Sequence, residues 1–223
     1  MIPKLALSFL AAAALVGPVR AEIAPSFDCA KAQTPVENAI CADEALAEED
    51  HAIAVAFQSL IERSDADLAD AIRSDQRTFI AVRDEAFELG HIAEEQRQQG
   101  LLDRMQYRAE FLNWINTAPP DGLEGSWRNE LGMVTISRNA HGFVLKGDAA
   151  DQVIGSWLCS VEGSLVPADD GTASMATEEG QVRLVRHAGY LEFFDARPDA
   201  TQGYCGLGGA MAGAYFYVGA TDD

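Results

Sequence analysis

The stretch Phe27 to Cys41, FDCAKAQTPVENAIC, decides how the first half of the chain is read. Thr34-Pro35-Val36-Glu37 has the form of a capping box. The Thr34 hydroxyl can accept from the Glu37 backbone N–H, and the Glu37 carboxylate can accept from the Thr34 N–H. Pro35 falls at the first helical position, where a missing N–H costs nothing. A short helix therefore starts here and carries Cys41 round towards Cys29. Joining these two cysteines, twelve positions apart, closes a small loop that contributes about 3 kcal/mol on the chain-entropy argument. The spacing is not that of a CxxC redox or metal motif, so a structural staple is the expected role.

Ahead of this stretch the chain reads as an export signal. Lys4 supplies a positive start, Leu5 to Val16 an apolar run, and Val19-Arg20-Ala21 a small-residue cleavage site, so residues 1–21 are expected to be removed. The apolar run is about twelve residues, too short to span a bilayer. No cysteine follows the cleavage point, so no lipid anchor is expected. No second apolar stretch exists, so no membrane span is expected and the mature chain is placed in the periplasm or secreted. The four cysteines all lie in the mature chain, and an even count suits an oxidising compartment. Four cysteines allow three pairings; Cys29–Cys41 and Cys159–Cys205, one in each half, are favoured.

The 223 residues suit one or two domains, and 48% hydrophobic residues can build a real core. Charge is one-sided. Without Lys4 and Arg20 the mature chain carries 14 basic residues against 35 acidic ones. Both halves share the excess, with 20 acidic against 8 basic over 22–117 and 15 against 6 over 118–223. Such a surface repels nucleic-acid phosphates and anionic membranes. It attracts a cationic protein in a salt-dependent way, although solubility alone also accounts for it.

Residues 22–117 read as helical. Asp43 can cap a helix to about Arg63, with Leu46, Ile53, Phe57 and Leu60 on one stripe and Asp50 among them. Asp67 can cap the next, from Leu68 to about Leu89, with Leu68, Ile72, Phe79, Val82 and Ala86 along one side. Glu94 to Gln99 is polar and Gly100 punctuates it. A last helix from Leu101 to Ile115 offers Leu101, Met105, Leu112 and Ile115, with Arg108 on the same face. Inward charges persist when paired, because an unpaired buried charge costs several kcal/mol. An Asp50–Arg83 pair with Arg108 or Asp84 nearby is therefore expected to hold the helices in register.

These residues carry a resemblance. FDC, then eleven residues and a second cysteine, then SDQRTFIAVRD, then YRAEFL, resembles the N-terminal domain of the LprI-type lysozyme inhibitor family over about residues 27–116. Gln76, Arg77, Arg83 and Asp84 match its helix motif, and Phe79 stands where tryptophan is usual. The resemblance implies a cysteine-paired helical domain and inhibition of lysozyme. The chain departs from the pattern in lacking a second cysteine pair near Ala86 and Leu101–Leu102, and in having Glu49 where leucine is common.

Residues 118–122 read as a linker, with Pro119-Pro120 to stiffen it and Asp121-Gly122 to turn it. From 123 to 223 helical periodicity gives way to short alternating runs. Strands are expected at Gly125–Asn129, Met133–Arg138, Phe143–Lys146, Gly155–Val166, Gln181–Arg186, Tyr190–Phe194 and Ala214–Val218, with hairpin turns at 139–142 and 187–189. This makes a small antiparallel barrel or sandwich, and the whole chain an α+β two-domain protein. Closing the loop from Cys159 to Cys205 contributes about 4 kcal/mol by the same entropy argument.

Most chemical sites are absent from the pattern. Gly206-Leu207-Gly208-Gly209 has no following lysine and no βαβ unit, so tight turns are the better reading than a phosphate loop. His51, His91, His141 and His187 show no ligand spacing, so no metal and no cofactor are expected. No G-x-S-x-G elbow appears. Carboxylates are too abundant for any pair to mark a glycosidase. Trp114, Trp127 and Trp157 are expected to pack rather than to line a sugar site. The leading expectation is an exported, non-enzymatic binding protein whose partner is a basic lysozyme. An envelope structural or assembly factor binding another exported partner is the alternative, and a carboxylate-based cell-wall hydrolase comes third. The pattern sets no catalytic residue, no binding face and no oligomeric state.

Overall fold

Side-chain caps set the helix starts. The computed structural model describes residues 23–178, 180–195 and 203–221; the expected leader, 1–21, lies outside the described residues. Thr34 and Glu37 form the reciprocal box at the head of α1, Pro35–Ala42, with bonds of 3.1 and 3.0 Å. The backbone N–H groups of Gln33 and Thr34 hold the Glu37 carboxyl below its ordinary pKa. Cys29 and Cys41 are joined, with their Cα atoms 5.8 Å apart. Asp43 caps α2, Glu44–Glu62, by accepting from Ala45 and Leu46.

Two boundaries differ from expectation. Asp65, not Asp67, caps α3, Ala66–Phe87. Asp67 then lies in the first turn, where its charge meets the positive end of the helix dipole. The last helix, α4, spans Glu94–Trp114 and so runs through Gly100. Glu, Gln and Arg are good helix formers whatever their polarity, and Glu94 and Glu95 sit favourably in the first turn. Polarity there marks an exposed face, not a break. The helices share a core that includes Ile40, Leu46, Leu60, Ile72, Phe79, Met105 and Leu112. Phe57, placed on the α2 stripe by its spacing, is only partly buried at the edge of that core.

The second half closes into an antiparallel barrel in which every strand pairs with its chain neighbour and the last with the first. The strands are β1 Gly125–Arg128, β2 Gly132–Asn139, β3 Gly142–Ala150, β4 Leu158–Pro167, β5 Thr172–Thr177, β6 Gly180–Arg186, β7 Tyr190–Asp195 and β8 Gly213–Gly219. The strand β5, TASMAT, was not expected. Its small residues carry little strand preference, yet Ala173 and Met175 point into the barrel and are 1% exposed. Trp127 fills the interior, and its Nε1–H donates to Leu123 O at 2.9 Å. Cys159 and Cys205 are joined, tying β4 to the chain that leads into β8. In that glycine-rich stretch a Cβ at Gly209 would lie 2.9 Å from the Trp157 ring, so close packing, as expected, accounts for it.

The two halves meet along β8. Successive side chains of a strand point to opposite faces. Tyr215 and Tyr217 accordingly enter the barrel core, while Phe216 joins the helical core with Ala214 and Val218 packed beside it. The Asn116 N–H, just past α4, donates to Tyr217 O at 2.9 Å. Arg186 steadies residues 118–122: its Nε donates to Gly122 O at 3.0 Å, and its guanidinium lies 4.9 Å from the Trp127 ring.

Candidate functional site at the helix–barrel seam

The charged residues that the helices turn inward gather where the barrel docks. Arg108 follows Arg104 by one turn of α4, so both reach the same side. Asp75, Gln76 and Phe79 come from α3. Glu130 comes from the turn between β1 and β2, which Asn129 shapes by accepting from the N–H groups of Leu131 and Gly132 at 3.0 and 2.9 Å. The Asn129 amide also donates to Ala214 O on β8 at 3.2 Å.

Arg108 is the centre of this cluster and is 1% exposed. Its Nη1 lies 2.7 Å from Asp75 Oδ2 and 3.5 Å from Glu130 Oε2. Its Nε and Nη2 both donate to Gln76 Oε1, at 2.9 and 2.7 Å. The guanidinium carbon sits 5.1 Å from the Phe79 ring centre and 5.2 Å from that of Phe111. Asp75 also reaches across the seam, accepting from Glu130 N–H at 2.9 Å. Arg104 Nη2 donates to Gln152 O on the barrel at 2.6 Å, with Nη1 3.8 Å from Glu130 Oε1. Burial dominates over the nearby arginines at Glu130 and pushes its carboxyl up to about 7. One guanidinium thus holds two carboxylates from different halves, and the second acid, Glu130, is held less firmly.

Beside this cluster a cleft of about 490 Å³ opens between α3 and the barrel. Asp67, Asp70, Ser74 and Thr78, spaced three or four residues apart along one face of α3, line it with Asp75 beside them. Asn129, Leu131, Tyr190, Glu192 and Ala212 to Ala214 line the other side. None of these lining residues is basic. Asp70 pairs with Arg73 at 2.7 Å, but both are largely exposed and the pair is worth little. Glu192 Oε2 lies 3.0 Å from His187 Nε2, and the His187 ring stacks on Tyr190 at 4.3 Å. Chemically the cleft offers carboxylates, a hydroxyl and an aromatic face to a cation. Among the described residues no group of His, Cys, Asp and Glu could hold a metal ion.

The residues named from the sequence fall as follows. Arg83 pairs with its neighbour Asp84 at 2.8 Å. Asp50 is buried, but its Oδ2 accepts from Ser26 N–H at 2.6 Å. The expected Asp50–Arg83 pair is not among the ion pairs of the described residues, and Arg108 turns to Asp75 and Glu130 instead. Helical spacing fixes which face a charge occupies, not which partner it meets. Gln76 grips Arg108, and Phe79 lies under both Arg108 and Arg83. Arg77 faces solvent. Asp75 and Glu130 were missed; Asp75 is the residue before Gln76 and could have been found by asking what balances Arg108. Trp127 is core and Trp157 packs against the barrel, whereas Trp114 is 47% exposed.

Residues 29–112 match the family model described as Lysozyme inhibitor LprI. The LprI match begins at the first disulfide cysteine and ends within α4, less than half of the chain. Asp75, Gln76, Arg104 and Arg108 lie inside it; Glu130 and the barrel lie outside it. No curated protein and no solved structure matches the chain. No helix among the described residues is long and apolar enough to cross a membrane.

Proposed function

We propose that the chain is an exported, non-enzymatic binding protein that inhibits a cationic lysozyme-type hydrolase, with the seam cleft receiving basic side chains of its partner. The observation that carries this reading is the cleft's lining, which holds Asp67, Asp70, Asp75 and Glu192 and no basic residue. The LprI match supplies the class of partner. The excess of 35 acidic over 14 basic residues in the mature chain supplies a long-range attraction for a basic protein, which raises the association rate. The disulfides and the signal-like leader support action in the periplasm or outside the cell, after cleavage near Ala21.

The test is inhibition of a basic lysozyme by residues 22–223 at low and at physiological salt. Stoichiometric inhibition that weakens as salt rises is expected, because exposed charges are screened beyond about 8 Å at physiological ionic strength. Asp67→Asn combined with Glu192→Gln should weaken it further. Absence of inhibition at large excess overturns the reading.

A second reading, an envelope assembly or structural factor with another exported partner, draws on the barrel's exposed apolar side chains. Leu158 and Leu207 are 69% and 78% exposed. They flank the hydrogen bond from Gly206 N–H to Leu158 O, 2.7 Å long. Recovery of one stable non-lysozyme partner from periplasmic extract would favour that reading.

A further inference from the structure

A second, smaller pocket has the opposite character to the acidic cleft. It holds about 170 Å³ between the end of α3 and the start of α4. Phe87, Leu89, Ile92 and Leu101 form apolar walls, and Val153 from the barrel closes one side. The charged residues that line it are Arg83, Arg97 and Arg104, and no carboxylate does. The three guanidiniums are the charged groups that face the pocket, and their carboxylate partners Asp84, Glu94 and Glu130, at 2.8, 3.5 and 3.8 Å, lie outside its lining.

The arginines are held, but not fully used. Arg83 and Arg104 are 11% and 22% exposed and fixed by Asp84 and by Gln152 O. Arg97 lies 5.5 Å over the Phe87 ring. Its hydrogen bonds to Phe87 O and Glu94 Oε2 are long, at 3.4 and 3.5 Å. Its Nε is buried with no hydrogen-bond partner among the described residues. The volume matches a single ring, since an apolar cavity of about 150 Å³ takes up benzene.

We infer that this pocket binds a small organic carboxylate, its ring or short alkyl body against Phe87, Leu101 and Val153 and its carboxylate on Arg97, with Arg83 and Arg104 at its sides. The guanidinium fork suits a carboxylate, and pairing in a partly dry pocket is stronger than at an open surface. The body of the ligand is limited to about ring size by the walls.

Benzoate and its neutral analogue benzamide are the probes, titrated into residues 22–223 and followed by amide chemical shifts. Saturable shifts confined to residues 83–104 and the neighbourhood of Val153 are expected with benzoate. Benzamide should bind about tenfold more weakly or worse, as should benzoate to Arg97→Gln, because a charge-assisted bond is lost. Ala86→Leu, which fills the pocket from an apolar wall, should abolish the shifts while leaving the melting temperature in place. Equal affinity for benzamide, undiminished binding to Ala86→Leu, or no saturable shift with benzoate would each overturn the inference. None of these readouts involves lysozyme, so the outcome is separable from the inhibition test.

Discussion

The barrel and the seam bury side chains in contrasting ways. The described core of the barrel is largely apolar and is closed by a full ring of backbone pairing, so lost volume is its characteristic vulnerability. The seam is a mixed surface in which Arg108, 1% exposed, lies against two phenylalanine rings and holds two carboxylates. An apolar core is forgiving about partners and strict about volume. A buried ion cluster is strict about partners, because removing one charge strands the others. Evolutionary freedom and pH sensitivity should therefore divide along the same line.

The sharpest way to break that contrast is Arg108→Met. It should destabilise the protein by about 4 kcal/mol at neutral pH, leaving Asp75 and Glu130 without their shared cation. The loss should shrink in acid, where the stranded carboxylates take up protons. Leu145→Ala, in the barrel core, should cost about 3 kcal/mol through its cavity and show no such pH dependence. Urea unfolding of both variants across pH decides; parallel pH profiles would erase the distinction.

Glu130→Gln sharpens the comparison further. The Glu130 carboxyl is raised from 4.5 to about 7 in the folded protein. The folded state therefore keeps the proton more tightly than the unfolded state. Its contribution to stability is complete below about pH 4.5 and is lost as pH rises through about 7, a change of about 3 kcal/mol. Glutamine removes this loss, so the variant should gain on the wild type with rising pH across that window and level off above it. Arg108, Arg104 and Arg128 oppose the shift and Asp75 adds to it, so a flat difference would mean that Arg108 already satisfies Glu130. The smallest effect is expected far from the seam: Thr34→Ala should cost about 1 kcal/mol with little dependence on pH, because the bond lost is the one that the Thr34 hydroxyl accepts from the Glu37 backbone N–H.

What the sequence made legible was local. Thr34, Pro35 and Glu37 carry their own geometry within four positions, and Asp43 announces the start of α2. The strand alternation was readable where residues were large, as in β8, and unreadable in TASMAT, where small side chains conceal it. The seam needed contacts between residues far apart in the chain, such as Arg108 with Asp75, 33 positions away, and Glu130 N–H with Asp75, 55 positions away. Arg108 could be named as inward from its spacing, but its partners depended on how α3, α4 and the β1–β2 turn converge. Asp50 shows the same limit: its buried place was readable, its bond to Ser26 was not.

The alternation along β8 has a consequence for the order in which the molecule can be completed. Tyr215 and Tyr217 finish the barrel, and Phe216 between them finishes the helical core. Synthesis reaches these residues after the described helices and the other seven described strands have been made. The helices, although encoded first, wait for the final strand before their last apolar surface is covered. A nascent chain stopped short of residue 213 would carry two unfinished units, and a single seven-residue segment, Gly213–Gly219, completes both at once.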